Sequence, residues 1–132
     1  MDDANTLIPV NPAIENYMQK LLEKTGHPVL LEMEKLASLS SFPIVGRLIG
    51  AFLETQAKMV NAKRVFEFGS GYGYSAYWFA RAVGEGGRVI CSDSNPINCE
   101  RAEKYLSDAD LWKRLDFRVG KAQDVFMQTD GL

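Results

Sequence analysis

Two features of this chain have the residue types and spacing to capture a small polar ligand. The first is Val65-Phe66-Glu67-Phe68-Gly69-Ser70-Gly71-Tyr72-Gly73-Tyr74-Ser75, an apolar run that stops at a glycine-rich turn. The second is Asp93, which closes the next apolar run, Arg88-Val89-Ile90-Cys91-Ser92. Glycines let backbone N–H groups approach a ligand closely, and an acid at the tip of the following strand accepts hydrogen bonds from ribose hydroxyls. The chemistry implied is recognition of a nucleotide-like molecule. Glu67 is unusual inside a strand, because an unpaired buried carboxylate is costly. Donors from the turn or from a ligand account for it; pairing with a basic side chain is the plainer alternative.

Such residues need parallel strands to hold them. Residues 64–68 read as a first strand and 74–83 as its helix, ended by Gly84-Glu85-Gly86-Gly87. A second strand covers 88–92, and its helix runs over 96–107 from Pro96. The third strand, Leu115-Asp116-Phe117-Arg118-Val119, alternates as a strand with one wetter face does. Gly120-Lys121-Ala122-Gln123-Asp124 opens a short helical piece. Upstream, Asn11 and Pro12 suit an N-cap and first helical position. Ile14, Tyr17, Met18, Leu21 and Leu22 then recur at helical spacing, and further helices follow Pro28 and Pro43. Right-handed β-α-β crossovers put the strands in order 3-2-1. The expected fold class is α/β: half of a Rossmann-like sheet over 62–132, preceded by a helical extension over 1–61.

Composition narrows the possible partners. At 132 residues, 46% hydrophobic and 24% charged, the chain is one ordinary globular domain at most. No apolar run approaches the roughly 20 residues a membrane span needs, and Met1-Asp2-Asp3 does not open a signal peptide. A cytoplasmic setting is expected. The net charge is -2, and from Ala62 onward Lys and Arg balance Asp and Glu, ten against ten. A nucleic-acid footprint is therefore not expected. Cys91, Cys99 and the single His27 have neither redox nor zinc spacing, so plain reduced cysteines and no metal site are expected.

The turn discriminates between nucleotides. Counted from Gly69, the third glycine of a dinucleotide fingerprint falls on Tyr74, too bulky for the close packing a pyrophosphate site demands. Counted from Gly71 the pattern is formally met, with Asp93 about twenty residues on, but Gly69-Ser70 becomes an insertion. A NAD(P)-binding half-domain remains one alternative. S-adenosylmethionine has no phosphate; Ser75 suits its carboxylate and Asp93 its ribose.

At this point Val65 through Ser75 resembles motif I of the cation-dependent class I O-methyltransferases, the caffeoyl-CoA and catechol O-methyltransferase-like family. Gly46-Arg47-Leu48 resembles the helix before strand one, and Val119-Gly120-Lys121-Ala122-Gln123-Asp124 the segment that brackets adenine. The resemblance covers about residues 11 to 132 and implies the N-terminal part of a methyltransferase fold with S-adenosyl-L-methionine as cofactor. It implies that Gly69, with Ser70 and Gly71, approaches the cofactor through backbone, that Ser75 holds its carboxylate and Asp93 its ribose. Ala122 and Gln123 would flank adenine, and Glu67 would support the site from strand one. Ser41 and Phe42 fall where the family covers cofactor and substrate.

The resemblance places the ligands of the family's divalent metal (Mg or Ca) and its catalytic basic residue after strands four and five, neither of which this sequence contains, so no catalytic residue is assigned and no metal ligand is expected in this chain. The implied acceptor is a hydroxyl of a small aromatic, with hydroxyuridine of transfer RNA the alternative within the family; a non-catalytic binding module is a further one. Tyr74, Tyr77 and Trp78 share one helical face and are expected to pack, whereas Tyr72, on the turn itself, is the candidate ligand contact. An open strand-one edge and uncovered apolar helix faces imply a homodimer.

Overall fold

In the computed structural model, residues 11–130 are described. Asn11 caps the first helix, its side chain accepting from Ala13 N–H at 2.9 Å, and Pro12 occupies the first turn. Helix α1 spans Pro12–Glu23, α2 Val29–Ser40 and α3 Gly46–Met59. The alternating part then runs β1 Arg64–Phe68, α4 Tyr74–Val83, β2 Arg88–Asp93, α5 Pro96–Asp108, β3 Leu115–Val119 and α6 Ala122–Met127. A short 3-10 turn at Trp112–Arg114, which the sequence did not announce, leads into β3.

The three strands are parallel in the order β1-β2-β3, with Val65 beside Val89 and Glu67 beside Cys91 in one ladder. Val89 pairs with Leu115 and Asp93 with Val119 in the other. This is the expected 3-2-1 arrangement. Central β2 is bonded on both sides, and Val89, Ile90, Cys91 and Ser92 are buried. Alternation assigns the two faces. Val65, Val89, Cys91, Leu115 and Phe117 join the core with α4 and α5, while Phe66 and Phe68 turn the other way and meet Phe126 of α6 at 5.0 and 5.3 Å between ring centroids.

Helix α2 enters the same core through Val29, Leu30, Met33 and Ala37. Complete burial of a side chain such as Leu30 stabilises by about 1.5–3 kcal/mol. Helix α3 approaches α4 closely at Gly50, where a Cβ would sit 2.1 Å from Trp78 Nε1; any side chain there would force the helices apart. Helix α1 differs: none of its residues is buried, and Ile14, Tyr17, Met18 and Leu21 remain exposed. No helix among the described residues is long and apolar enough to cross a membrane.

Candidate functional site

The carboxyl ends of β1 and β2 are clipped together beyond their ladder. Ser70 N–H donates to the Ser92 carbonyl at 2.7 Å, Ser92 N–H donates to Ser70 Oγ at 3.2 Å, and the Ser92 hydroxyl donates to the Glu67 carbonyl at 2.7 Å. The glycine turn is thereby fixed against β2. Gly71 takes a positive φ of 54°, and a Cβ there would come within 2.9 Å of the Phe42 ring. Only glycine satisfies both the left-handed backbone and that close approach.

Gly69, Ser70, Gly71, Ser75 and Asp93 line one cleft of about 330 Å³, closed on its other side by Phe42, Pro43, Ile44 and Val45. Gly69 and Asp93 also border a second, more open cleft of about 440 Å³, with Gly120, Lys121, Ala122 and Gln123 across it. Seven of the eight residues singled out in the sequence thus converge on two adjoining clefts. The eighth, Glu67, lines neither. Its carboxylate sits behind the turn, with Oε2 buried and without a hydrogen-bond partner. Burial pushes this carboxyl above its ordinary range, and the nearby Ser75 and Ser70 hydroxyls and Cys91 thiol pull the other way. No basic side chain pairs with it among the described ion pairs.

Asp93 is already oriented. Oδ2 accepts from Gly71 N–H at 3.0 Å, and Oδ1 accepts from Asn95 N–H at 2.9 Å and from Asn98 Nδ2 at 3.1 Å. Oδ1 thereby accepts two bonds, whereas Oδ2 accepts one and keeps a lone pair for a ligand. Sequence reasoning missed Asn98. Its signal was a polar residue three positions after the Asn95 N-cap, where a side chain reaches back across the helix start. It also missed Ser92, a small polar residue inside an apolar strand.

Helix α4 begins at the turn with Gly73 as an N-cap that supplies no side-chain bond. The first intrahelical bond runs from Tyr77 N–H to the Gly73 carbonyl, so the N–H groups of Tyr74, Ser75 and Ala76 form an open, electropositive helix end. Such an end accepts a carboxylate. The helix end, the Asp93 carboxylate and the second cleft together suit a ligand with an acid, a sugar and a flat ring.

Tyr72, the expected ligand contact, does border the first cleft, but with its side chain packed away from solvent. Its side chain is turned inward, 1% exposed, and its hydroxyl donates to the Met33 carbonyl at 3.0 Å. A turn held at both flanks by glycine aims the ring towards the apolar α2 side, where burial is more favourable than solvent. Tyr74, Tyr77 and Trp78 are buried, as their spacing required. Among the described residues, no group of three or more His, Cys, Asp or Glu side chains is placed to hold a metal ion.

A three-stranded parallel sheet with a glycine turn after one strand and an acid closing the next places the chain in the Rossmann-like α/β class. The particular family follows from comparison with known proteins. Residues 13–130 match the O-methyltransferase family, and the chain belongs to it. It is 32% identical over 117 residues to a catechol O-methyltransferase of Niastella koreensis, covering 88% of this chain and 53% of that protein. A methyltransferase structure from Geobacter sulfurreducens superposes with a TM-score of 0.80 at 33% identity, over 88% of this chain and 60% of that one. The O-methyltransferase TomG from Streptomyces achromogenes, solved in complex with SAM, gives a TM-score of 0.81 at 26% identity, over 90% and 54%. The chain spans about half the length of the relatives it matches.

Proposed function

We propose that the clefts bind S-adenosyl-L-methionine and that the protein takes part in O-methylation of a small hydroxylated aromatic. The observation that carries the first part is the pairing of the open α4 N-terminus with the preoriented Asp93 carboxylate across one cleft. In this reading Ser75 and the α4 N–H groups hold the methionyl carboxylate, and Asp93, kept in place by Asn98, accepts from the ribose hydroxyls. Backbone of Gly69, Ser70 and Gly71 approaches the cofactor, and Ala122 and Gln123 flank the adenine. Glu67 supports the turn from beneath. When bound, the cofactor would supply a sulfonium methyl group, open to attack on its carbon by an acceptor hydroxyl oxygen, with the neutral thioether as leaving group and the hydroxyl proton released to solvent.

The acceptor class is supported by the catechol O-methyltransferase of Niastella koreensis and by the apolar strap Phe42–Val45 on the cleft. The residues described do not fit the divalent metal that the resemblance implies, so no step is derived through one. The reading extends to a single partial methyltransferase domain over 1–132, with 1–61 as a helical cover and 62–132 as the cofactor-binding part; residues 1–10 and 131–132 of these bounds lie outside the described residues. It also includes a cytoplasmic homodimer. The free thiols Cys91 and Cys99, the exposed α1 face and the β1 edge, unpaired among the described residues, support that setting and that assembly.

Calorimetric titration with S-adenosylhomocysteine tests the cofactor. Charge-assisted bonds to Asp93 contribute about 1.5–3 kcal/mol, so Asp93→Ala is expected to weaken binding about tenfold or more. Unchanged affinity in a folded variant removes Asp93 from the site. Light scattering at low micromolar concentration tests the dimer, and a strictly monomeric folded species overturns it.

A further inference from the structure

Both tyrosines of the glycine turn border the first cleft, and their hydroxyls bond to neighbouring residues in the middle of α2. The Tyr72 hydroxyl donates to the Met33 carbonyl at 3.0 Å. The Tyr74 hydroxyl donates to Glu34 Oε1 at 2.7 Å, and the ring is 3% exposed. Burial, then the adjacent Glu34 carboxylate, pushes the Tyr74 phenol well above its usual range, so it stays a donor. Glu34 is held in turn by Arg47 of α3, whose Nε donates to Oε1 at 2.7 Å and whose Nη2 donates to Oε2 at 3.1 Å. One wall of the cleft is therefore tied to α2 through two buried hydroxyls.

The opposite wall hangs from the same helix. Ser41, in the left-handed conformation at φ 51°, ends α2 and reverses the chain. Phe42 then covers Gly71 and packs on the Tyr72 ring, with centroids 4.7 Å apart. The distance between turn and strap is thus set by where α2 sits. Phenylalanine at 72 or 74 would fill nearly the same volume. What the hydroxyls add is a fixed register, because a buried Tyr O–H requires its partner.

We propose that Tyr72 and Tyr74 are positioning residues for the cofactor. By pinning α2 to the glycine turn they fix the spacing of the two cleft walls, and cofactor binding and α2 docking stabilise each other. The inference rests on the S-adenosylmethionine reading of the cleft. Coupling of this kind is reciprocal: ligand must tighten α2 by the same factor that α2 docking tightens ligand.

The test uses S-adenosylhomocysteine with the wild-type chain, Tyr72→Phe, Tyr74→Phe and the double variant. Affinity is read by calorimetry, and hydrogen exchange is followed across residues 29–40. Wild type should show slower α2 exchange on binding. Each single variant should bind several-fold more weakly, and the double variant about tenfold or more. At saturating ligand the double variant should also lose the α2 protection. A purely structural role lowers the melting temperature but leaves that ligand-induced protection intact, and this result overturns the proposal. Equal affinity and equal protection overturn it too, while leaving the cofactor reading standing. Wild-type protein that does not bind the ligand overturns both. Should the double variant unfold, Tyr74→Phe, which keeps the Glu34–Arg47 pair, carries the same comparison.

Discussion

Strand β1 has two faces built from the same five residues, and they differ sharply. On one, Val65 and Glu67 face α4 beneath a turn whose backbone and side chains are held by β2 through Ser70, Ser92 and Asp93. On the other, Phe66 and Phe68 pack on each other and on Phe126 of α6; Phe68 is 57% exposed and Phe126 39%. Apolar character therefore does not decide which face is rigid. The α4 face is held by hydrogen bonds that need one geometry, whereas three aromatic rings can slide on each other at little cost. The first cleft lies where backbone groups are locked, and the second reaches from there to Phe68 at the edge of the aromatic face.

The sharpest way to break this contrast is Gly71→Ala. A left-handed alanine costs about 1–2 kcal/mol, and displacing Phe42 adds overpacking of about 1–3 kcal/mol. A stability loss of about 2–5 kcal/mol in urea unfolding is expected, with cofactor affinity falling as the strap moves out. An alanine variant of wild-type stability would show that Phe42 yields freely and that the locked face is softer than described.

Glu67→Gln is expected to have a smaller and opposite effect. The folded state holds this carboxyl above its ordinary range because of burial, so the fold binds its proton more tightly than the unfolded chain does. Below the ordinary carboxylate range the residue carries no penalty. As pH rises from there through the raised folded value, stability is lost, and the full cost remains above it. The glutamine variant should melt higher than wild type near neutral pH and converge with it in acid. Melting curves that stay parallel across pH would mean the Glu67 carboxylate is solvated or paired.

The smallest effect belongs to the outer face. Phe68→Thr should change stability by no more than about 0.5 kcal/mol, as expected for an exposed position, while lowering any self-association seen by light scattering. A loss of several times that would show the aromatic face to be a packed part of the fold.

Much of the site was legible before any coordinates. Glycine at three turn positions, an apolar run on either side and an acid at the second run's end require a particular local backbone, and local backbone is what residue type specifies most directly. The helix starts at Asn11, Pro12 and Pro96 were readable for the same reason. The roles of Tyr72, Tyr74, Glu34, Arg47 and Asn98 were not. Tyr72 and Met33 lie 39 residues apart, and Tyr74 and Glu34 lie 40. Nothing in a linear pattern says which surface a buried hydroxyl will meet. The sequence by itself determined the sheet, its order and the residues around the clefts, because period and turn chemistry are local. That Glu67 Oε2 is buried without a partner and that the Tyr72 hydroxyl grips α2 came from the tertiary fold alone, because both depend on which distant element removes the group from water.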